Sequence, residues 1–109
     1  MEDPVLSVVV PCYNEQDGVE ECHRRLRGVL EALGIPWEIV FVNDGSKDAT
    51  LPALLALQGD DPHVVIVDLA RNFGHQLAVT AGIDCMTAAA WLTLAGDWSF
   101  SQTRSIESL

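Results

Sequence analysis

Three short apolar runs divide the chain, Leu6 to Val10, Trp37 to Val42 and Val64 to Leu69, and each passes into a polar cluster before a longer stretch with a different rhythm. The runs are rich in β-branched residues and do not alternate, the pattern of strands buried on both faces of a parallel sheet. In the first longer stretch Val19, Cys22, Leu26, Val29, Leu30 and Leu33 recur at spacings of three and four, an amphipathic helix that stops near Gly34 and Pro36. A second helix is predicted from about Asp48 to Leu57, capped by Ser46, with Leu51, Leu54 and Leu55 facing inward. A third is predicted from His75 to Thr87, with Leu77, Ala81 and Cys85 on one side. Strand and helix alternate three times, which predicts an α/β fold with a doubly wound, Rossmann-like, mostly parallel sheet and right-handed crossovers. No repeat, linker or low-complexity tract interrupts it before Thr87.

In such a sheet a ligand sits at the carboxyl ends of the strands, where the strand order reverses. The polar clusters "PCYNE", "NDGSKDAT" and "RNFGHQ" follow the first, second and third runs, so all three are predicted on one rim. In the first, Pro11 withholds a ladder donor and turns the chain outward. Tyr13 then offers a flat face and Glu15 an acceptor, a combination suited to a nucleobase; equally, Tyr13 is a rim aromatic and Glu15 an acid favoured at a helix start. In the second, Asp44 projects from the strand end and Gly45 permits a tight turn, although the same string is an ordinary turn elsewhere. In the third, Arg71 either binds a diphosphate or pairs with Asp68. Gly74 is predicted to expose helix-start N–H groups to an anion, and His75 is more often a structural hydrogen-bonder than a catalyst.

Composition narrows the function. Across 109 residues, 16 acidic against 6 basic side chains give a net charge of −10, which disfavours nucleic acid or an anionic lipid surface as the main partner. Cys12, Cys22 and Cys85 are widely spaced and odd in number, with neither a disulfide framework nor metal-ligand spacing, which points to a reducing compartment. The sequence has no transmembrane segment, since no stretch reaches the roughly 18 apolar residues a span needs, and the first residues lack the basic start of a signal peptide.

The strings "SVVVPCYNE", "EIVFVNDGSKDAT" and "LARNFGHQLAVTAGID", in that order and at about those separations, resemble the N-terminal half of the nucleotide-binding domain of family 2 glycosyltransferases. Within that group the likeness is to polyprenyl-phosphate sugar transferases, including dolichol-phosphate mannose synthases. Each motif alone is weak, and three in register are specific; they cover about residues 5 to 87. The resemblance implies part of a GT-A fold, a UDP- or GDP-sugar donor, a polyprenyl phosphate acceptor, a divalent Mg2+ or Mn2+, inverting transfer, and a cytoplasmic setting at the inner membrane face. Carried over by position, Pro11, Tyr13 and Glu15 contact the base and Asp44 the base or ribose. Asn14 holds its loop, Arg71 and Asn72 lie near the diphosphate, Gly45 and Gly74 give close turns, and Gln76 only packs. None of these is a catalytic base.

The sequence departs from that family where a fourth strand should end in Asp-x-Asp, the pair that holds the metal. Here it reads "MTAAAWLTLAGDWSFSQTRSIESL", in which "WLTL" suits a fourth strand but Asp97 and Glu107 are the only carboxylates after Ala90. One carboxylate is too few for a hard cation, which takes several oxygen ligands. Residues 5–90 are therefore read as the nucleotide-sugar-binding half of a glycosyltransferase domain and residues 91–109 as an atypical tail, foreign to the fold through a frameshift or a misplaced gene end. The expected function is that of a truncated transferase, weak or inactive as this chain, with a non-catalytic nucleotide-sugar-binding module as the alternative. A small flavodoxin-like or receiver-like domain is a weak rival, since a receiver needs an acidic pair after the first run and a phosphoacceptor Asp after the third, whereas "PCYNE" lacks the pair and Asp68 lies inside the third run.

Overall fold

The computed structural model describes residues 4–85, 90–94 and 106–108, without the side chains of the last two segments or of His75, Asp84 and Cys85. The elements run β1 (Leu6–Cys12), α1 (Val19–Leu33), β2 (Trp37–Asp44), α2 (Thr50–Asp60), β3 (Val64–Leu69), α3 (His75–Cys85), β4 (Ala90–Leu94) and β5 (Ile106–Ser108). They build one sheet in the order β3-β2-β1-β4-β5. β1 pairs in parallel with β2 on one side and β4 on the other, β2 pairs in parallel with β3, and only β5 is antiparallel. The order therefore reverses between β1 and β4, as a doubly wound α/β sheet requires.

Alternate residues of the central strands feed two cores. Val8, Val10 and Cys12 of β1 and Ile39 and Phe41 of β2 meet Val19, Cys22, Leu26 and Leu30 of α1 and Leu54 of α2. On the opposite face Val9, Val40 and Val42 meet Ala78 of α3. β2 is buried along its whole length, which explains why its residues are apolar on both faces apart from Glu38, whose carboxylate accepts from Ser7 of β1. α1 ends as its sequence predicts, with Gly34 at φ 69° and its N–H returning to the Glu31 carbonyl.

Several inward faces differ from the predicted ones. In α1, Val29 and Leu33 are exposed, and in α2 Leu55 is exposed while Leu54 is fully buried. α3 turns Ala78 and Gly82 to the sheet rather than Leu77, which is 57% exposed. The reason is distance: a Cβ on Gly82 would stand 2.4 Å from Val9 Cγ1 and 2.9 Å from Val42 Cγ2, so small residues let α3 approach where a leucine stripe would hold it off. β1 also continues past the proline predicted to turn it outward. Pro11 is buried within the strand opposite Val42 of β2, so the chain leaves the sheet only after Cys12. β4 starts at Ala90 and runs across the boundary drawn at residue 91. Thr87, Asp97 and most of the predicted tail lie outside the described residues.

At the far end of the sheet, Asp61 ties three elements together. Its side chain is 1% exposed, and it accepts from His23 of α1 at 2.8 Å, from the His63 ring at 2.7 Å and from the His63 N–H at 3.0 Å, with Arg27 at 3.4 Å. His63 in turn stacks on Trp37, ring centroids 3.9 Å apart. Burial by itself raises the Asp61 pKa, but these donors outweigh it and hold the carboxyl below its ordinary value.

Candidate functional site

The parallel register sets Cys12 opposite Asn43 and Asn43 opposite Asp68, so β1, β2 and β3 deliver their carboxyl ends at one level. The three loops that follow surround a cleft of about 730 Å³ whose walls include Tyr13, Asn43, Lys47, Asp68, Arg71 and Asn72. The rim inferred from the polar clusters is thus a physical concavity, of the size that takes a small ligand.

The first two loops are laced together. Asn14, at φ 53°, donates its N–H to Ser46 Oγ at 2.9 Å and accepts the Lys47 N–H on Oδ1 at 2.8 Å. Gln16 accepts the Ala49 N–H at 2.8 Å and donates its own N–H to Asp48 at 3.3 Å. The Glu15 N–H donates to Thr50 Oγ1 at 2.9 Å. Ser46 is thus engaged with Asn14 instead of capping α2, which starts at Thr50 with its N–H on Asp48 Oδ1 at 2.9 Å. Burial raises the Asp48 pKa, and the Thr50 hydroxyl and the backbone donors outweigh that and hold it below the usual carboxylate value.

Asp44 is held by donors from the loop before α3. It is 3% exposed, and its carboxylate accepts the Phe73 N–H at 2.7 Å, the Gly74 N–H at 3.1 Å and Asn72 Nδ2 at 3.2 Å. Asn72 Nδ2 also reaches the Asp44 carbonyl at 3.1 Å. The anion at the start of α3 is therefore the protein's own Asp44, and the Gly74 N–H predicted to await a ligand is already paired. Gly74 has φ 96°, a value that favours glycine. Gly45 is constrained twice, by φ 67° and because a Cβ there would lie 2.2 Å from the Arg71 carbonyl carbon and the Asn72 nitrogen.

The groups that face the cleft are fewer. Tyr13 is 44% exposed. Arg71 forms no ion pair with a described residue; its guanidinium lies 4.7 Å from the Phe73 ring centre, so the local pairing with Asp68 does not form. Glu15 stands at the approach to α1 and is absent from the cleft wall, and Pro11 is within β1. Lys47 lines the cleft and escaped notice in the sequence, where a lysine inside a turn string carries no pattern. Arg24, Arg25 and Arg27 pair with Glu21 and Glu31 on α1, which leaves Lys47 and Arg71 as the described cations without a carboxylate partner, both on one cleft. Cys12 and Cys22 are free buried thiols; burial, with a smaller contribution from Glu15, pushes Cys22 up to about 12, and the two are inert. Among the described residues no group of three His, Cys, Asp or Glu is placed to hold a metal, and Asp97 lies outside them. No helix among them is long and apolar enough to cross a membrane.

Comparison with known proteins places this site in context. Residues 7–109 match the pattern described as glycosyl transferase family 2. The chain is 43% identical over 91 residues to the uncharacterized glycosyltransferase YkcC of Bacillus subtilis, covering 84% of this chain and 28% of that protein. It is 38% identical over 93 residues to the undecaprenyl-phosphate 4-deoxy-4-formamido-L-arabinose transferase of Salmonella enteritidis, again covering 84% of this chain and 28% of the relative. Among solved structures it is similar to a mannosyltransferase from Pyrobaculum calidifontis in complex with GDP-Man and Mn2+, with a TM-score of 0.68 and 25% identity over 84% of this chain and 27% of that one. The chain therefore spans under a third of the length of the relatives it matches.

Proposed function

The chain belongs to glycosyl transferase family 2, and from that premise we propose that residues 5–90 form the nucleotide-sugar-binding half of an inverting transferase whose donor is a UDP- or GDP-sugar and whose acceptor is a polyprenyl phosphate. The observation that carries the reading is the convergence of three loops on one cleft that holds an exposed aromatic ring and the two unpaired cations. Tyr13 supplies the face on which a base stacks. Arg71 and Lys47 supply positive charge for a diphosphate, which strengthens as the glycosidic bond breaks and the leaving group gains charge. Asp44 and Asn72 act on the loop that presents Arg71. One relative is an undecaprenyl-phosphate sugar transferase and another is seen in complex with GDP-Man and Mn2+, which supports this class of reaction.

The described residues do not furnish a metal ligand set, and the sequence lacks the carboxylate pair of its family, so no step is assigned to a metal. This chain is proposed to bind nucleotide and not to turn over. Calorimetric titration with GDP and UDP, set beside a transfer assay using GDP-mannose, UDP-glucose and polyprenyl phosphate, tests both parts. Saturable binding without product is expected, with Arg71→Ala weakening the nucleoside diphosphate about tenfold or more and leaving the free nucleoside unchanged. Metal-dependent product formation by this chain would overturn the second part, and absence of nucleotide binding the first.

A further inference from the structure

A nucleotide seated against Tyr13 turns the edge of its base toward the polar groups in the cleft wall, and Asp44 is not among the groups free to meet it, because three donors already occupy its carboxylate. At the same level of the sheet stand Asn43 and Asp68, directly opposite each other on β2 and β3, and both line the cleft. Asn43 Nδ2 donates to Asp68 Oδ1 at 2.9 Å, which fixes the amide, since the reverse orientation would set two acceptors against each other. Asn43 is 3% exposed, and its Oδ1 has no hydrogen-bond partner. A buried amide oxygen left without a donor is costly, and native structures rarely keep one without a reason.

Asp68 is exposed, accepts that one N–H, and pairs with no described cation. A carboxylate has about four lone-pair sites, so most of its capacity faces the cleft unused. At this point of the wall the exposed group is the Asp68 carboxylate, which offers acceptor sites. Uracil presents a single N3–H flanked by two carbonyl oxygens, which a carboxylate repels. Adenine and cytosine place an amino group beside a ring acceptor. Guanine alone of the common bases sets two donors side by side, N1–H and the 2-amino group, and these match the two oxygens of a carboxylate.

We infer that Asp68, oriented by Asn43, is the base-reading residue of this cleft and that it selects guanine, an inference that rests on the nucleotide-binding reading above. Titration of the protein and of Asp68→Asn with GDP, IDP and UDP tests it, IDP being the probe that keeps N1–H and lacks the 2-amino group. The expected result is GDP bound about tenfold or more tightly than IDP and UDP. Asp68→Asn should bring GDP to the level of IDP while leaving UDP unchanged or slightly improved, because the charge that repels the uracil carbonyls is removed. UDP affinity retained in the variant also reports that the fold is intact. A parent protein that prefers UDP, or a variant that loses GDP and UDP equally, overturns the inference and leaves nucleotide binding standing. A parent that binds none of the three overturns both.

Discussion

The substitution Asp44→Asn separates two roles for one carboxylate, because it changes almost no volume and removes one acceptor. Oδ1 receives the Phe73 N–H, and Oδ2 receives both the Gly74 N–H and Asn72 Nδ2. The amide loses least when its oxygen stays at the Oδ2 position and its NH2 faces Phe73. One hydrogen bond to a charged group is then replaced by two opposed donors, a loss of about 1.5–3 kcal/mol. The two remaining bonds lose their charge assistance and fall to roughly half strength. The sum is about 3–6 kcal/mol in a site 3% exposed, a large share of the about 5–15 kcal/mol that holds a domain together. Thermal unfolding followed by circular dichroism should show Tm lowered by more than about 10 °C, at about 4–8 °C per kcal/mol for a domain of this size. Amide exchange at Phe73 and Gly74 should accelerate, since those N–H groups lose their acceptor. If stability stays within about 0.5 kcal/mol of the parent while nucleotide affinity collapses, Asp44 faces the ligand, as its motif implies, and the packing argument is wrong.

Two further substitutions probe other parts of the fold. Gly82→Ala places a methyl against Val9 and Val42 and should cost about 1–3 kcal/mol by forcing α3 off the sheet, measured by urea denaturation; a neutral result would mean that α3 is not in close contact there. Asp61 has a folded pKa below its unfolded one, so its stabilisation is present above about pH 4 and disappears as pH falls through the folded value. Asp61→Asn should therefore lower stability at neutral pH and flatten the acid limb of the stability curve below about pH 4; an unchanged acid limb would count against the cluster of His23, His63 and Arg27 around it.

How much of this was legible in the sequence depends on range. β2 could be read from Trp37 onward because a strand buried on both faces is mostly apolar without alternation, here with Glu38 as the one charged residue before Asn43. The cleft could be placed because topology alone brings the ends of β1, β2 and β3 together. Leu77 faces outward although its hydrophobicity marks it as inward, because α3 is held close by Ala78 and Gly82, whose value is their smallness. The packing role of Asp44 is not legible beside the ligand role its motif implies, because its partners, the N–H groups of Phe73 and Gly74, lie 29 and 30 positions away and leave no trace in local pattern. Asp68 drew attention only as a neighbour of Arg71, since its pairing with Asn43 exists only across the β2–β3 register.

The lacing of the first two loops bears on how such a domain can be re-engineered. Asn14 and Gln16 each exchange a donor and an acceptor with the segment from Ser46 to Ala49, so neither loop is complete by itself. A chimera that imports the β1–α1 loop of another family member while keeping the native β2–α2 loop strands backbone N–H groups on both sides. The two loops are consequently a single module for grafting, and donor preference transplanted from a relative should travel only when residues 13–16 and 46–50 are moved together.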